Sequence, residues 1–308
     1  MMSPRLISRA RKTISKALSP ILPVKVIAEL IELEPPDAKV EVSVVRPSAI
    51  AGGRGIPFAP IIVYVNNEEV FRGNCDEKGR KILDLKLEEQ HSIIDAYFRR
   101  EGATNPSDSI EVIWDNFEDG KISPIWRGFR GAGPRPGESK RWEGNGRLNL
   151  YCKEIGHLTG IYTRNPVNIE GAIIGADLYS DGYVATGISI LPSTEAWYAP
   201  AYNYGYDIIL WEKAIHKIII YSGYEEGKKK RRPYSPSYIS TTLPSNPARV
   251  EIIQIDDSIR FLFNDEQIYN EEYQLPTKIC NIYLWAMCWY VGAEGTSWID
   301  NFTFIRED

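Results

Sequence analysis

Four cysteines, three histidines and four glutamines are all that 308 residues hold of those types, and no run of about 18 apolar residues occurs. Cys75, Cys152, Cys280 and Cys288 form no Cys-x-x-Cys pair and stand beside no clustered histidine, which excludes a zinc site or redox motif of ordinary spacing. Cys280 and Cys288 lie in apolar, strand-like surroundings and are expected as buried thiols acting as small hydrophobes. His91, His157 and His216 are far apart, with no Gly-x-Ser-x-Gly elbow to suggest a nucleophile. GGRG at 52–55 is too short for a phosphate loop and precedes no helical pattern. Without a long apolar run there is no transmembrane helix, and Arg9, Arg11, Lys12 and Lys16 interrupt the apolar core that a secretion signal needs. An extracellular surface or a virion is the expected setting, reached by a route the sequence does not display. Scarce glutamine beside abundant Ile, Tyr, Glu, Lys and Arg is a balance found in thermophile proteins.

What the chain does hold is 43% hydrophobic residues, enough for two cores in a chain of this length. The net charge of −5 conceals an asymmetry. Five of the 36 basic residues fall in the first 23 positions, which contain no acid, leaving 31 against 41 acidic residues in the body. An acidic body disfavours nucleic acid as a partner. In residues 5–18, RLISRARKTISKAL, Leu6, Ala10, Ile14 and Leu18 share one face at helical spacing, opposite a basic face. Pro20 and Pro23 stop this helix. It is a solvated helix, a tail docking on a partner subunit, or one lying on an anionic membrane or nucleic acid.

From Val24 the pattern changes to short alternating or β-branched runs separated by turn residues such as Asn66-Asn67 and Asp76-Glu77-Lys78-Gly79. GATNPSD at 102–108 reads as a linker. Beyond it two similar stretches, Trp114–Gly120 (WDNFEDG) and Trp298–Phe304 (WIDNFTF), bracket a region of many strand candidates and no helical periodicity. Opening and closing strands that resemble one another suit a many-stranded sandwich closing on itself, a jelly roll. The expected organisation is a basic tail at 1–23, a small β-sandwich at 24–104 and a larger one at 110–308. The fold class is all-β with a short N-terminal amphipathic helix.

Two resemblances sharpen this. VYVNNEEVFRGNCDEKGRKILDLKLEEQHSIIDAYFRREG resembles the bacterial immunoglobulin-like repeats of surface proteins, with Asp76, Gly79, Arg80, Ala96 and Phe98 at matching positions. That implies a spacer or interaction module at 24–104. The succession DNFEDG, EGNGRLNLY, GADLYSDG, ATGISIL, VEIIQIDDSIRFLFNDEQIYNEE and GTSWIDNFTF is similar to the concanavalin-A-like, or laminin-G-like, jelly-roll superfamily across 110–308. The resemblance implies one structural Ca2+ where first and last strands meet, with Asp300 as the matching carboxylate and Glu118, Asp119 and the Gly144 carbonyl as companions, since oxygen donors suit a hard cation. Hydrogen bonding of Asp300 to backbone is the alternative.

Glycoside hydrolases of that superfamily carry a Glu-x-Asp-x-Glu strand that sets carboxylates on one face, and no such triplet occurs here. Asp177 and Asp181 are four apart, but Ser180-Asp181-Gly182 reads as a turn that leaves Asp181 solvated, while Glu271 and Glu272 are adjacent and face opposite ways. No catalytic residue is assigned. TEAWYAPAYNYGYDIILW at 194–211 offers Trp197, Tyr198, Tyr202, Tyr204 and Tyr206 for a glycan, a subunit interface or loop packing. The run EEGKKKRRPYSPSY at 225–238 reads as a solvated loop, with docking to an acidic partner or to nucleic acid as the alternatives. The leading expectation is a non-catalytic structural or adhesive subunit of a virion or surface filament, forming a homo-oligomer or larger assembly. A lectin-like module or glycoside hydrolase with an unrecognised site is the alternative.

Overall fold

The computed structural model describes residues 24–46, 54–100, 103–181, 183–192, 205–212, 216–221, 238–240 and 247–307. Among these residues every regular element is a strand. None forms a helix long and apolar enough to cross a membrane. The helix expected over Leu6, Ala10, Ile14 and Leu18 lies outside the described residues. The chain divides into two compact units, residues 1–114 with 304–308 and residues 115–303.

In the first unit β1 (Lys25–Glu34) pairs antiparallel with β2 (Asp37–Arg46). The two-residue β3 (Arg54–Gly55) adds to the far end of β2. A second sheet is built on β4 (Pro60–Val65), which pairs with β5 (Glu68–Asn74). The next strand, β6 (Arg80–Lys86), returns to β2. On its other side β4 pairs with β7 (His91–Arg100), which also carries β8 (Ala103–Pro106) and β9 (Ile110–Asp115). Strict alternation explains the shared core, because Val26, Ala28 and Leu30 of β1 and Val40, Val42 and Val44 of β2 all point inward. Ile61, Val63, Ile94, Ile110 and Val112 meet them there. Turn chemistry fixes the connections. Asn66 and Asn67 both take positive φ (51° and 66°), as a two-residue hairpin requires. Asp76 Oδ1 accepts from the amides of Lys78 and Arg80, closing the turn at Gly79.

The second unit holds two sheets. One contains β10 (Trp126–Gly131), β13 (Leu158–Thr163), β14 (Val167–Asn168), β16 (Val184–Pro192), β17 (Tyr206–Glu212), β18 (His216–Tyr221), β19 (Tyr238–Ser240) and β23 (Ile279–Cys288). Its order is β10-β13-β23-β16-β17-β18-β19, all antiparallel, with β14 also on β23. The other contains β11 (Glu138–Glu143), β12 (Leu148–Lys153), β15 (Ala172–Tyr179), β20 (Ala248–Ile255), β21 (Ser258–Phe263), β22 (Glu266–Glu272) and β24 (Glu294–Glu307). There β22-β21-β20-β15-β24 run in order, and β12 joins β24 to β11. Contacts between the sheets make them a sandwich. Trp126 packs edge-on against Phe302 at 4.9 Å, Tyr206 meets Phe261 at 6.2 Å, and Cys152 Sγ donates to the Ala286 carbonyl at 3.4 Å. All four cysteines are free and buried.

The two Asp-Asn-Phe copies bury Phe117 and Phe302 completely, each contributing about 1.5–3 kcal/mol of apolar burial. Their backbones differ, since the left-handed residue is Phe117 in the first copy and Asn301 in the second. Asp115 Oδ1 accepts from the Phe117 amide and Oδ2 from the Trp126 indole, whereas Asp300 accepts from the adjacent Asn301 amide. Shared sequence here reflects shared burial of the phenylalanine, with separate local demands on each aspartate.

Candidate functional site

Strand alternation decides which side chains of the β10–β19 sheet turn away from its partner sheet. Trp126 and Tyr206 reach the partner sheet, so Arg127, Phe129 and Gly131 of β10 and Asp207 and Ile209 of β17 lie on the opposite, outer face. Register carries that face across the sheet. Arg127, Tyr162, Tyr283, Ser189 and Asp207 form one row, and Phe129, Gly160, Trp285, Gly187 and Ile209 the next. Along β23 alone, Tyr283, Trp285 and Met287 stand on this face, and Trp289 follows just past the strand end.

The aromatics are locked. Tyr162 stacks on Tyr283 at 5.0 Å and 14°, and Phe129 meets both edge-on. Trp285 donates its indole N–H to Ser189 Oγ at 2.7 Å. Glycine makes room for two of the rings: a Cβ on Gly187 would sit 3.1 Å from the Trp285 ring, and one on Gly160 2.9 Å from the Phe129 ring. Trp285, Tyr283 and Asp207 are buried, while Phe129, Tyr162 and Trp289 are only half-buried. Asp207 is the buried carboxylate of this face among the described residues.

The stripe ends in an open cleft of about 770 Å³, lined by Ile155, Tyr183, Trp289, Tyr290, Val291 and Glu294 among others. Tyr183 and Val291 are half exposed (48% and 55%), and Tyr183 meets Tyr290 edge-on at 5.9 Å. Glu154 holds the rim hairpin in place, both carboxylate oxygens accepting from the Gly292 amide at 3.1 Å. Asp181 Oδ2 accepts from the Thr296 amide of β24 at 3.1 Å, so it anchors that strand and is not the solvated turn residue expected from sequence. Lys153 and Glu294 pair at 2.9 Å beside the cleft. Rings with exposed faces next to fixed hydrogen-bonding groups can hold a flat, amphipathic ligand.

Of the aromatic residues singled out by sequence, Trp197, Tyr198, Tyr202 and Tyr204 lie outside the described residues. Tyr206 is corrected: it is fully buried on the inner face, where its hydroxyl accepts from the Gln274 amide at 2.7 Å. The residues expected to hold calcium meet other partners. Glu118 is exposed, Asp119 Oδ1 accepts from the Lys121 amide, and the Gly144 carbonyl accepts from Asn149 at 2.9 Å. Among the described residues no three His, Cys, Asp or Glu side chains are placed to hold a metal ion.

Instead these acids crowd one another. Burial is the largest cause that lifts Glu143 to about 7, helped by its hydrogen bond to Asp119 and the charges of Asp115 and Asp119. Burial also lifts Asp115 to about 6 against its two hydrogen bonds, and Asp300 to about 6 with Asp177 and Glu118 adding to it. Each group binds its proton more tightly folded than unfolded, so its contribution to stability is whole below about pH 4 and is lost as pH rises through about 6–7. Melting temperature is therefore expected to fall between about pH 5 and about pH 8, with Glu143→Gln flattening the upper part of the slope. A melting temperature that rises over that interval in scanning calorimetry contradicts this.

Sequence reasoning passed over Tyr283, Trp285 and Trp289, although NIYLWAMCW carries Tyr, Trp, Met and Trp at successive alternate positions. Asp207 was likewise one residue from Tyr206, and a one-residue step in a strand exchanges faces.

No family model matches the sequence, and no curated protein matches it. Solved structures do resemble the fold. An endo-acting O-glycanase of the human gut microbiota, of the kind that initiates mucin breakdown, covers 64% of this chain and 99% of its own, at 12% identity and a TM-score of 0.49. The endo-β-1,3-glucanase from Pyrococcus furiosus covers 65% and 96%, at 12% identity and 0.48. The carbohydrate recognition domain of Emp47p covers 64% and 95%, at 11% identity and 0.46. These likenesses, at 11–12% identity, concern fold alone. They also overturn two expectations: the similar structures are chiefly glycan-cleaving enzymes, so the non-catalytic virion or filament subunit, and the exclusion of enzyme activity, are both withdrawn.

Proposed function

We propose that the second unit is a glycan-active domain that takes a saccharide chain along the aromatic outer face of its β10–β19 sheet. The observation that carries this is the continuity of the stripe. It runs from the open rim at Tyr183 and Trp289 inward to Met287, Trp285 and the row that holds Tyr283, Ser189 and Asp207, which are buried in the free protein. Sugar rings present apolar faces to such side chains and hydroxyls to the polar groups among them. The first unit, with its two small sheets around one core, we read as an immunoglobulin-like spacer.

Asp207 is the group we assign to bond cleavage. Glycoside hydrolysis takes a proton from the attacking water and gives one to the departing oxygen; we assign Asp207, the buried carboxylate of this face among the described residues, to the first role, with solvent supplying the proton of the second. The test is reducing-end release from soluble β-1,3-glucan and from mucin, the glycans named for two of the similar structures. The wild-type protein is expected to cleave one of them and Asp207→Asn to be at least about tenfold slower. Full activity in Asp207→Asn removes that residue from the chemistry, and no release from either glycan by the wild type removes the cleavage half of the reading.

A further inference from the structure

Most polar groups on the outer face of the β10–β19 sheet are spoken for. Ser189 accepts from Trp285, and at the far end of β23 the Asn281 amide donates to the Thr163 carbonyl at 2.7 Å. The Tyr283 hydroxyl differs. Its residue is 2% exposed, yet its oxygen has no hydrogen-bond partner among the described residues. Buried donors without partners are rare, and each costs stability relative to an apolar replacement. Phenylalanine would fill the same space in the stack with Tyr162 and Phe129, so packing alone does not call for the hydroxyl. The group stands in the row of Ser189 and Asp207, one ring in from half-buried Tyr162.

We infer that the Tyr283 hydroxyl is a ligand-binding group, kept unsatisfied in the free protein so that it can hydrogen-bond a hydroxyl of the bound glycan. This rests on the reading of the outer face as the glycan site. A neutral partner fits, because a phenol both donates and accepts and so matches a sugar hydroxyl in either sense.

Tyr283→Phe separates the possibilities through two readouts. Without ligand, the variant is expected to melt about 2–4 °C above wild type, because the unsatisfied group is gone. With soluble β-1,3-glucan and mucin as probes, the glycan that wild type binds is expected to bind the variant about 3- to 10-fold more weakly. A lower melting point shows that the hydroxyl already has a structural partner and overturns the inference, whatever the glycan result. Unchanged affinity for a glycan that wild type does bind overturns it while leaving the glycan site standing. If wild type binds neither probe, the site itself falls and takes this inference with it.

Discussion

Arg249→Ala is expected to lower the stability of the second unit by about 3 kcal/mol, measured by urea unfolding. Arg249 lies directly opposite Asp177 in the β15–β20 register and fans out to three strands. Nη1 donates to the Asn301 carbonyl at 2.7 Å and Nη2 to Thr303 Oγ1 at 2.8 Å, tying β20 to β24. Nε lies 3.5 Å from Glu251, whose side chain is only 5% exposed, and Nη1 lies 3.7 Å from Asp177. Removing the guanidinium strands a buried carboxylate, which is the costly way to break a buried pair. Burial already raises the pKa of Glu251, opposed first by Arg249, so the glutamate can take up a proton once its cation is gone, which holds the loss near the low end of the range. Arg249→Lys is expected to recover little, because an ammonium does not reproduce the planar fork. Arg249→Met with Glu251→Leu is expected to recover much of the loss, since exchanging both partners for apolar groups leaves no charge buried. A loss below about 1 kcal/mol in Arg249→Ala contradicts this account of the cluster.

The second large effect belongs to the rim. Tyr183→Ala with Trp289→Ala is expected to weaken glycan binding about 100-fold without unfolding the protein. Tyr183 is half exposed and Trp289 half-buried, at the open end of the stripe. A ring that covers about 60 Å² of sugar surface at about 25 cal/mol per Å² contributes about 1.5 kcal/mol, and two such rings about 3 kcal/mol, or about two powers of ten in affinity. Trp289 packs only at the margin of the Tyr283, Trp285 and Met287 cluster and Tyr183 is half exposed, so the expected change in melting temperature is small beside the change in affinity. Glu154, which fixes the rim hairpin through the Gly292 amide, has to remain in place for the two rings to be compared fairly.

Much of the fold is legible in the sequence because its signals are local. Asn66-Asn67 and Asp76 to Gly79 sit in turns whose backbone demands those residue types, and the alternation of β1 and β2 sorts inner from outer residues without reference to the rest of the chain. The site is less legible for the opposite reason. In β23, nine of ten residues are buried, so hydrophobicity does not distinguish the face against the partner sheet from the face carrying Tyr283 and Trp285. Only register with β13 and β16, strands distant in the sequence, makes that distinction. The same holds at the acids. Asp300 and Asp119 look like cation ligands as a list, but the neighbours their side chains meet, the Asn301 and Lys121 amides and Glu143, are set by the fold and not by spacing in the sequence.

The central claim is that the outer face of the β10–β19 sheet holds a glycan, and isothermal titration of soluble β-1,3-glucan and of mucin into the 308-residue protein tests it most directly. The account predicts saturable binding of at least one of them by wild type, and about 100-fold weaker binding by Tyr183→Ala with Trp289→Ala at an unchanged fold. Equal affinity in wild type and the double variant, or no binding of either glycan by wild type, contradicts it.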